Sequence, residues 1–273
     1  MTTPGLELHK IVNQPQNWNF SGAGQLYAGV DLGTYKAITI VIDETGKPRA
    51  ARMRRAEVVR SGLIVDYVGA QNIVSDMIKE LRNASPLPIE KGATSYPPRT
   101  ETANINATRY ILEGVELEVL KVLDEPTAAN QVLKLNNGAI VDVGGGTTGI
   151  AVIQDGNIEF TDDEATGGVH LSLVLAGHYK ISYEEAEEIK IDGRKSREIL
   201  PVVRPVIEKI ASIVDACLQK FDNLTEICLV GGTCELDGFD EIVQEMLRVK
   251  AFRPEYPQFI TPLGIALSCL DAN

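Results

Sequence analysis

Apolar residues along this chain keep two rhythms, one of two residues and one of three to four. From Leu26 the run LYAGVDLG reads as a short apolar strand ending in a turn, and KAITIVIDETGKP as a second strand closed by ETGKP. AARMRRAEVVRSGLIVDY continues with β-branched residues and a glycine. From Val68 to Arg82, apolar positions 73, 74, 77, 78 and 81 predict a helix. PLPIEKGATSYPP is a linker with a short strand, and Thr100–Gly114 reads as a helix with the glycine near its end. VELEVLKVLDEP is a strand ended by Pro126, and TAANQVLKL a helix stopped by NNG.

The second half starts over. AIVDVGGGTTGIAVIQDGNIEF predicts strand, glycine turn, strand, tight turn and strand. Helices are expected over Val169–Ala176, Tyr183–Ile189 and Arg197–Phe221, the last with prolines at 201 and 205 near its start. LTEICLVGGT is a strand ending in two glycines, and helices follow over ELDGFDEIVQEML and TPLGIALSCL. Residues 1–26 show no sustained period and read as an extension or loosely attached arm, which Trp18 and Phe20 could pin to the body.

The repeat changes the picture most. GVDLGTYKAITIVIDETG aligns with IVDVGGGTTGIAVIQDG, each with apolar-Asp-apolar-Gly, a threonine, an alternating strand and a tight turn. Asp31 and Asp142 hold equivalent places, 142 − 31 = 111 residues apart. Two lobes built alike, each offering an aspartate and a glycine turn, suggest a ligand held between them.

Composition narrows the class of partner. The chain has 273 residues and a net charge of −12, so phosphate backbones repel it and nucleic acid is not expected as a partner. RAARMRRAEVVR (49–60) runs against that trend with five arginines and one glutamate, as a solvated strand edge or a docking strip for an acidic partner. No apolar run reaches the 18 residues of a membrane span, and MTTPGLELHKIVNQPQNWNF lacks the charged start and apolar region of a secretory signal. A cytoplasmic location is expected. Cys217, Cys228, Cys234 and Cys269 form no C-x-x-C and read as buried small hydrophobes in a reducing compartment. His9, His170 and His178 read as structural or surface residues, so no zinc site is expected.

The glycines at 144, 146 and 149 fit G-x-G-x-x-G, the dinucleotide-binding spacing. In that fingerprint a helix follows the glycines and its N-terminus holds the pyrophosphate. Here TTGIAVIQDGNIEF follows, which alternates and runs into the hairpin turn QDGN, so a dehydrogenase is rejected. Glycines joining two strands still cradle phosphate, because consecutive exposed N–H groups form an anion-binding nest. An aspartate just before each turn makes sense if Mg2+ sits between it and the phosphates, held through water.

These motifs resemble the nucleotide-binding segments of the actin/Hsp70/sugar-kinase superfamily. VDLGTYK (30–36) resembles its first phosphate loop, DEPTAAN (124–130) a connecting segment and VDVGGGTTG (141–149) the second phosphate loop. LVGGT (229–233) resembles the adenosine segment and TPLGIAL (261–267) the second connecting helix. The match covers about residues 27–270. Within the superfamily the chain most resembles the EutJ-type ethanolamine-utilisation proteins, Hsp70-like chaperones.

The resemblance implies an α/β, actin-like ATPase fold of two similar, ribonuclease-H-like lobes with a central nucleotide cleft. Residues 27–133 plus 255–273 would form lobe one and 138–254 lobe two, with a small accessory subdomain near 177–200. It implies ATP or ADP and Mg2+ as cofactors, with Asp31 and Asp142 holding the metal through water and Glu125 near the attacking water. Gly33, Thr34, Tyr35, Lys36, Gly144, Gly145, Gly146, Thr147 and Thr148 would hold phosphates. At position 36 the lysine could contact phosphate or lie on the surface. Glu187 and Lys190 of YEEAEEIK would contact the nucleoside, and Gly231, Gly232 and Thr233 would line the adenosine pocket.

Two departures bear on turnover. An Hsp70 carries an arginine shortly after GG-S/T that packs on adenine, whereas TCELDG here offers Glu235. The water-orienting glutamate of bacterial actins would fall in PPRTETANINATRY, which offers Glu101 or Asn104. Positioning and charge neutralisation carry phosphoryl transfer, so the expectation is binding with weak Mg-dependent ATPase activity or none. The implied function is an ATP-binding chaperone or reactivating factor for ethanolamine utilisation. Its client would be ethanolamine ammonia-lyase or a microcompartment shell protein, docked on the lobes or the arm. An actin-like filament or scaffold is the alternative, and a small-molecule kinase a further one.

Overall fold

The computed structural model describes residues 4–221 and 224–272; Met1–Thr3 of the expected extension and Asn273 lie outside the described residues. The chain divides into two compact units, Met1–Lys134 with Phe259–Asn273, and Leu135–Gln258.

The first unit opens with helix α1 (Pro4–Ile11) and continues through strands β1 (Leu26–Leu32), β2 (Lys36–Asp43) and β3 (Pro48–Arg55). A two-stranded hairpin, β4 (Val59–Arg60) and β5 (Leu63–Ile64), leads into helix α2 (Tyr67–Ala84). Strand β6 (Lys91–Tyr96), helix α3 (Thr102–Glu113), strand β7 (Glu118–Asp124) and helix α4 (Glu125–Leu133) complete this stretch. The sheet order is β3-β2-β1-β6-β7, with β1 antiparallel to β2 and parallel to β6. Helix α2 starts where the Asp66 carboxylate accepts the Gly69 N–H. It buries Ala70, Val74, Met77, Ile78 and Leu81, a stripe at helical spacing. Each large one of these contributes about 1.5–3 kcal/mol by leaving water.

The second unit repeats the plan. Strands β8 (Gly138–Val143), β9 (Thr148–Gln154) and β10 (Asn157–Glu164) are followed by helices α5 (Gly168–Tyr179), α6 (Tyr183–Ile191) and α7 (Ser196–Leu218). Strand β11 (Glu226–Val230), helix α8 (Phe239–Leu247) and strand β12 (Lys250–Phe252) close it. The sheet order β10-β9-β8-β11-β12 matches the first sheet strand for strand. Pro201 and Pro205 lie inside α7, and the helix runs through both. Each removes a hydrogen bond at a cost of about 3 kcal/mol, offset by a buried face that includes Ile199, Val203, Ile207 and Ile210.

Helix α9 (Ile260–Leu267) returns to the first unit. It lies so close to α4 that a Cβ on Gly264 would stand 1.7 Å from the Ala128 carbonyl oxygen. Only a residue without a side chain permits that approach.

The segment before β1 is packed rather than loose. Leu8, Ile11 and Val12 are buried, and Val12 bridges Ala51 of β3 in parallel. The Asn13 side chain then clamps the same strand, its Nδ2 donating to Met53 O at 2.9 Å and its Oδ1 accepting from Met53 N at 3.0 Å. Trp18 and Phe20 pack on the core of this unit, and Arg52 lies over the Trp18 ring at 4.6 Å. Aperiodic sequence hid this, because the segment is fastened by single side chains rather than by a repeating face. The arginine strip at 49–60 is largely balanced by neighbouring acids. Arg49 pairs with Asp43, Arg52 and Arg54 with Glu80, and Arg55 with Glu57.

Candidate functional site

In the first unit, β1, β6 and β7 run parallel and their C-terminal ends line one edge of the sheet. Ligands of open α/β sheets bind at such an edge. Asp31 is the penultimate residue of β1, and Glu125 is the first residue of α4, directly after β7. Neighbouring strands are spaced about 4.8 Å apart, so the two residues sit on backbones about 10 Å apart. The Asp124 carboxylate caps α4, accepting from Thr127 N at 3.0 Å and Thr127 Oγ1 at 2.6 Å. Tyr96 faces Asp124 across the strands, and burial, then the Asp124 charge, push its phenol up. The turn Gly33–Lys36 joins β1 to β2 and closes through Gly33 N–H on Lys36 O at 3.0 Å. Tyr35 O accepts the Ala56 N–H at 3.0 Å, which ties this turn to the end of β3.

The second unit builds its turn identically, with Gly144 N–H on Thr147 O at 3.0 Å. The offset of 111 that relates Asp31 to Asp142 also relates Gly33 to Gly144 and Lys36 to Thr147. Here the back of the turn is fastened. Gly144 O accepts from Gly168 N–H at 3.0 Å and from Thr233 Oγ1 at 2.8 Å, and Gly145 O accepts from Val169 N–H at 2.8 Å. A trans peptide is planar, with C=O and the following N–H pointing opposite ways. Fixing the Gly144 and Gly145 carbonyls on α5 therefore turns the N–H groups of Gly145 and Gly146 to the other side. N–H groups turned to one side of a fixed turn are the arrangement that can cradle an anion.

Asp142, the penultimate residue of β8, is 7% exposed and lies beside Gly231. Gly231 has φ +90°, and a Cβ there would stand 2.4 Å from Asp142 Oδ1, so glycine is required on both counts. The segment Gly231–Thr233 thus meets the aspartate and the glycine turn within one unit. Gly232 opens a 3-10 turn, Gly232–Glu235, braced from outside by Arg253, whose Nη1 donates to Cys234 O and Glu235 O.

Three expected residues face inward. Thr148 is fully buried and its hydroxyl donates to Thr166 O at 2.6 Å. Glu187 is 3% exposed and accepts from Ser172 Oγ and from Lys190 Nζ. Lys190 also donates to Gly168 O at 3.0 Å, and burial pushes its ammonium down against the pull of Glu187. Ser172, Glu187 and Lys190 together hold the start of α5, the element that fastens the glycine turn.

Sequence reading passed over Asp163. It is the penultimate residue of β10, in the run TDDE, which resembles a solvated charge cluster. The register places it opposite Gly149, and its carboxyl is pushed up to about 7. Burial is the main cause, the Thr147 hydroxyl bond opposes it, and the charges of Asp142, Asp162 and Glu164 add to it. Among the described residues no group of three or more His, Cys, Asp or Glu side chains is placed to grip a metal directly. A carboxyl raised by burial and by neighbouring carboxylates fits a cation held through water, since the cation's charge relieves the repulsion. The four cysteines are free and buried.

The family profile of the type IV pilus assembly protein PilM matches residues 125–252. Ethanolamine utilization protein EutJ of Escherichia coli (strain K12) is 42% identical over 245 residues, covering 89% of this chain and 86% of that relative. The chain belongs to the EutJ family. The crystal structure of EutJ from Carboxydothermus hydrogenoformans matches with a TM-score of 0.89 at 43% identity, covering 96% of each chain. MreB5 of Spiroplasma citri, solved bound to ADP, matches with a TM-score of 0.70 at 15% identity over 88% of this chain and 95% of that one. This EutJ-family chain therefore has the actin-like ATPase fold, as its two matched sheets already indicate.

Proposed function

We propose that this EutJ-family chain binds Mg-ATP and Mg-ADP through its two glycine turns, and serves ethanolamine utilisation as an ATP-binding chaperone or reactivating factor. The fastened turn at Gly144–Thr147 carries the reading, because it presents the Gly145 and Gly146 N–H groups at no reorganisation cost. These donors hold phosphate oxygens, with the Gly33–Lys36 turn as their counterpart. Asp31 and Asp142 would each accept from metal-bound water, and Asp163 adds a carboxylate beside Asp142. Mg2+, when bound, neutralises phosphate charge. Glu125, the first residue of α4, is assigned to orienting the attacking water. The segment Gly231–Thr233 contacts the nucleoside, and Glu187 and Lys190 support it from behind rather than at the surface.

The EutJ name of relatives sharing over 40% identity supports the ethanolamine assignment, and the ADP in the MreB5 structure supports the nucleotide. The client would be ethanolamine ammonia-lyase or a microcompartment shell protein. Calorimetry of Mg-ADP on the wild type and on Asp142→Ala tests the site. Micromolar binding lost in the variant is the expected result; no binding by the wild type would redirect the search to a scaffold role.

A further inference from the structure

The two turns are not equal in how they meet an anion. The Gly144–Thr147 turn offers glycine N–H groups and no cation. The Gly33–Lys36 turn has one glycine but carries Lys36, and directly opposite Lys36 on the neighbouring strand stands Arg55. In the second unit Thr148 faces Glu164, which puts Ala165 at the place equivalent to Arg55. The arginine is thus a feature of the first unit alone.

Arg55 is physically part of this turn. Its guanidinium lies over the Tyr35 ring at 5.1 Å, and the next residue, Ala56, donates its N–H to Tyr35 O. The guanidinium also holds Glu57, with Nη2 to Oε1 at 2.9 Å and Nε to Oε1 at 3.1 Å. Both bonds reach a single oxygen, and the two side chains are 53% and 70% exposed, so water competes strongly with the pair. A phosphate offers the same fork two or more oxygens and more charge. A rotamer change is enough to redirect the side chain, because the backbone of Arg55 is already pinned beside the turn.

We propose that Arg55 is a further phosphate-binding residue of the Gly33–Lys36 turn, and that Glu57 is an internal anion competing with the nucleotide phosphate for its guanidinium. This rests on the nucleotide reading above and deepens it. Glu57 then sets the affinity from outside the site, without touching the ligand.

The test is calorimetry with Mg-ATP and Mg-ADP on the wild type, Arg55→Ala, Arg55→Lys, Glu57→Gln and Asp142→Ala, each checked by thermal unfolding. Loss of a charge-assisted contact in Arg55→Ala should weaken Mg-ATP binding about tenfold, with Arg55→Lys intermediate because the fork is lost and the charge kept. Glu57→Gln should tighten binding about two- to fivefold, the range of an exposed pair. Higher salt should shrink that gain. A purely structural Arg55, stacked to shape the turn, predicts the opposite for Glu57→Gln, which would then weaken binding or leave it unchanged. That result, or unchanged binding in Arg55→Ala, overturns the inference. If the wild type binds, Asp142→Ala does not and Glu57→Gln fails to tighten, only the role of Arg55 falls. If the wild type binds neither nucleotide, the parent reading falls and takes this one with it.

Discussion

Gly264→Ala asks how much of the first unit depends on the approach of α9 to α4. The added methyl would meet Ala128 O at 1.7 Å and Ala128 C at 2.5 Å, against an ordinary contact of 3.4 Å or more. The shortfall is 3.4 − 1.7 = 1.7 Å. Both obstacles are backbone, so no rotamer change relieves them and the helices must part. Overpacking costs about 1–3 kcal/mol, and a contact this short belongs at the top of that range. Replacing a helical glycine by alanine returns up to about 1 kcal/mol, leaving a net loss of about 2 kcal/mol. For a unit of this size that lowers Tm by about 4–8 °C. Gly177→Ala is the matched control, since nothing lies within 4 Å of its Cβ on the exposed side of α5. It should stabilise by about 0.5–1 kcal/mol. Thermal unfolding by circular dichroism reads both. Because α4 carries Glu125 at its start, Gly264→Ala should also weaken Mg-ADP binding in calorimetry. A Gly264→Ala protein that melts with the wild type, or two variants shifted the same way, would refute the reasoning.

The pH dependence centres on Asp163. Its folded pKa, raised to about 7, lies above the unfolded value, so its contribution is full below the unfolded pKa of 3.8 and is lost as pH rises through 7. Asp163→Asn should therefore match the wild type near pH 4 and be more stable at pH 8. The full shift is worth about 4 kcal/mol, halved to about 2 for solvent access, and urea unfolding in EDTA would show it. An equal gap at both pH values would contradict the burial argument. Lys190→Met leaves the Glu187 carboxylate buried beside Ser172 without its cation, and should cost about 3–5 kcal/mol in urea unfolding. Adding Glu187→Gln should recover most of that loss; if it does not, the pair's charge is not what matters. Arg253→Ala should weaken Mg-ADP binding severalfold by freeing the Gly232–Glu235 turn, with little change in Tm.

Most of the fold was legible because it rests on periodicity. The stripe at 73, 74, 77, 78 and 81 became α2, and the two aspartate-glycine repeats became the two matched sheets. Strand β12 went unseen because three residues carry no period, and α1 because its buried Leu8 and Ile11 are the whole signal. The expected helix over ELDGFDEIVQEML begins only after Gly238, whose φ of +88° ends one turn before the next starts. At the site, residue types were readable and orientations were not. Nothing in TTG says that the Thr147 hydroxyl meets Asp163 while the Thr148 hydroxyl turns to Thr166 O. The pleat decides that, and the strand boundary sets the pleat. Asp163 escaped for the same reason, since its neighbours come from another strand.

The Asn13 clamp has a bearing on what the edge of this sheet can pair with. Strand β3 is the outer strand of its sheet, and an outer strand with free N–H and C=O groups invites another strand. Here one amide side chain imitates a strand residue, taking the Met53 N–H and C=O at once, while Asn13 N–H and Asn19 N–H cover Ala51 O and Arg49 O. The opening segment thus works as a counterfeit neighbour, one that takes up hydrogen-bonding groups of β3 from Arg49 to Met53 without adding a strand to the sheet.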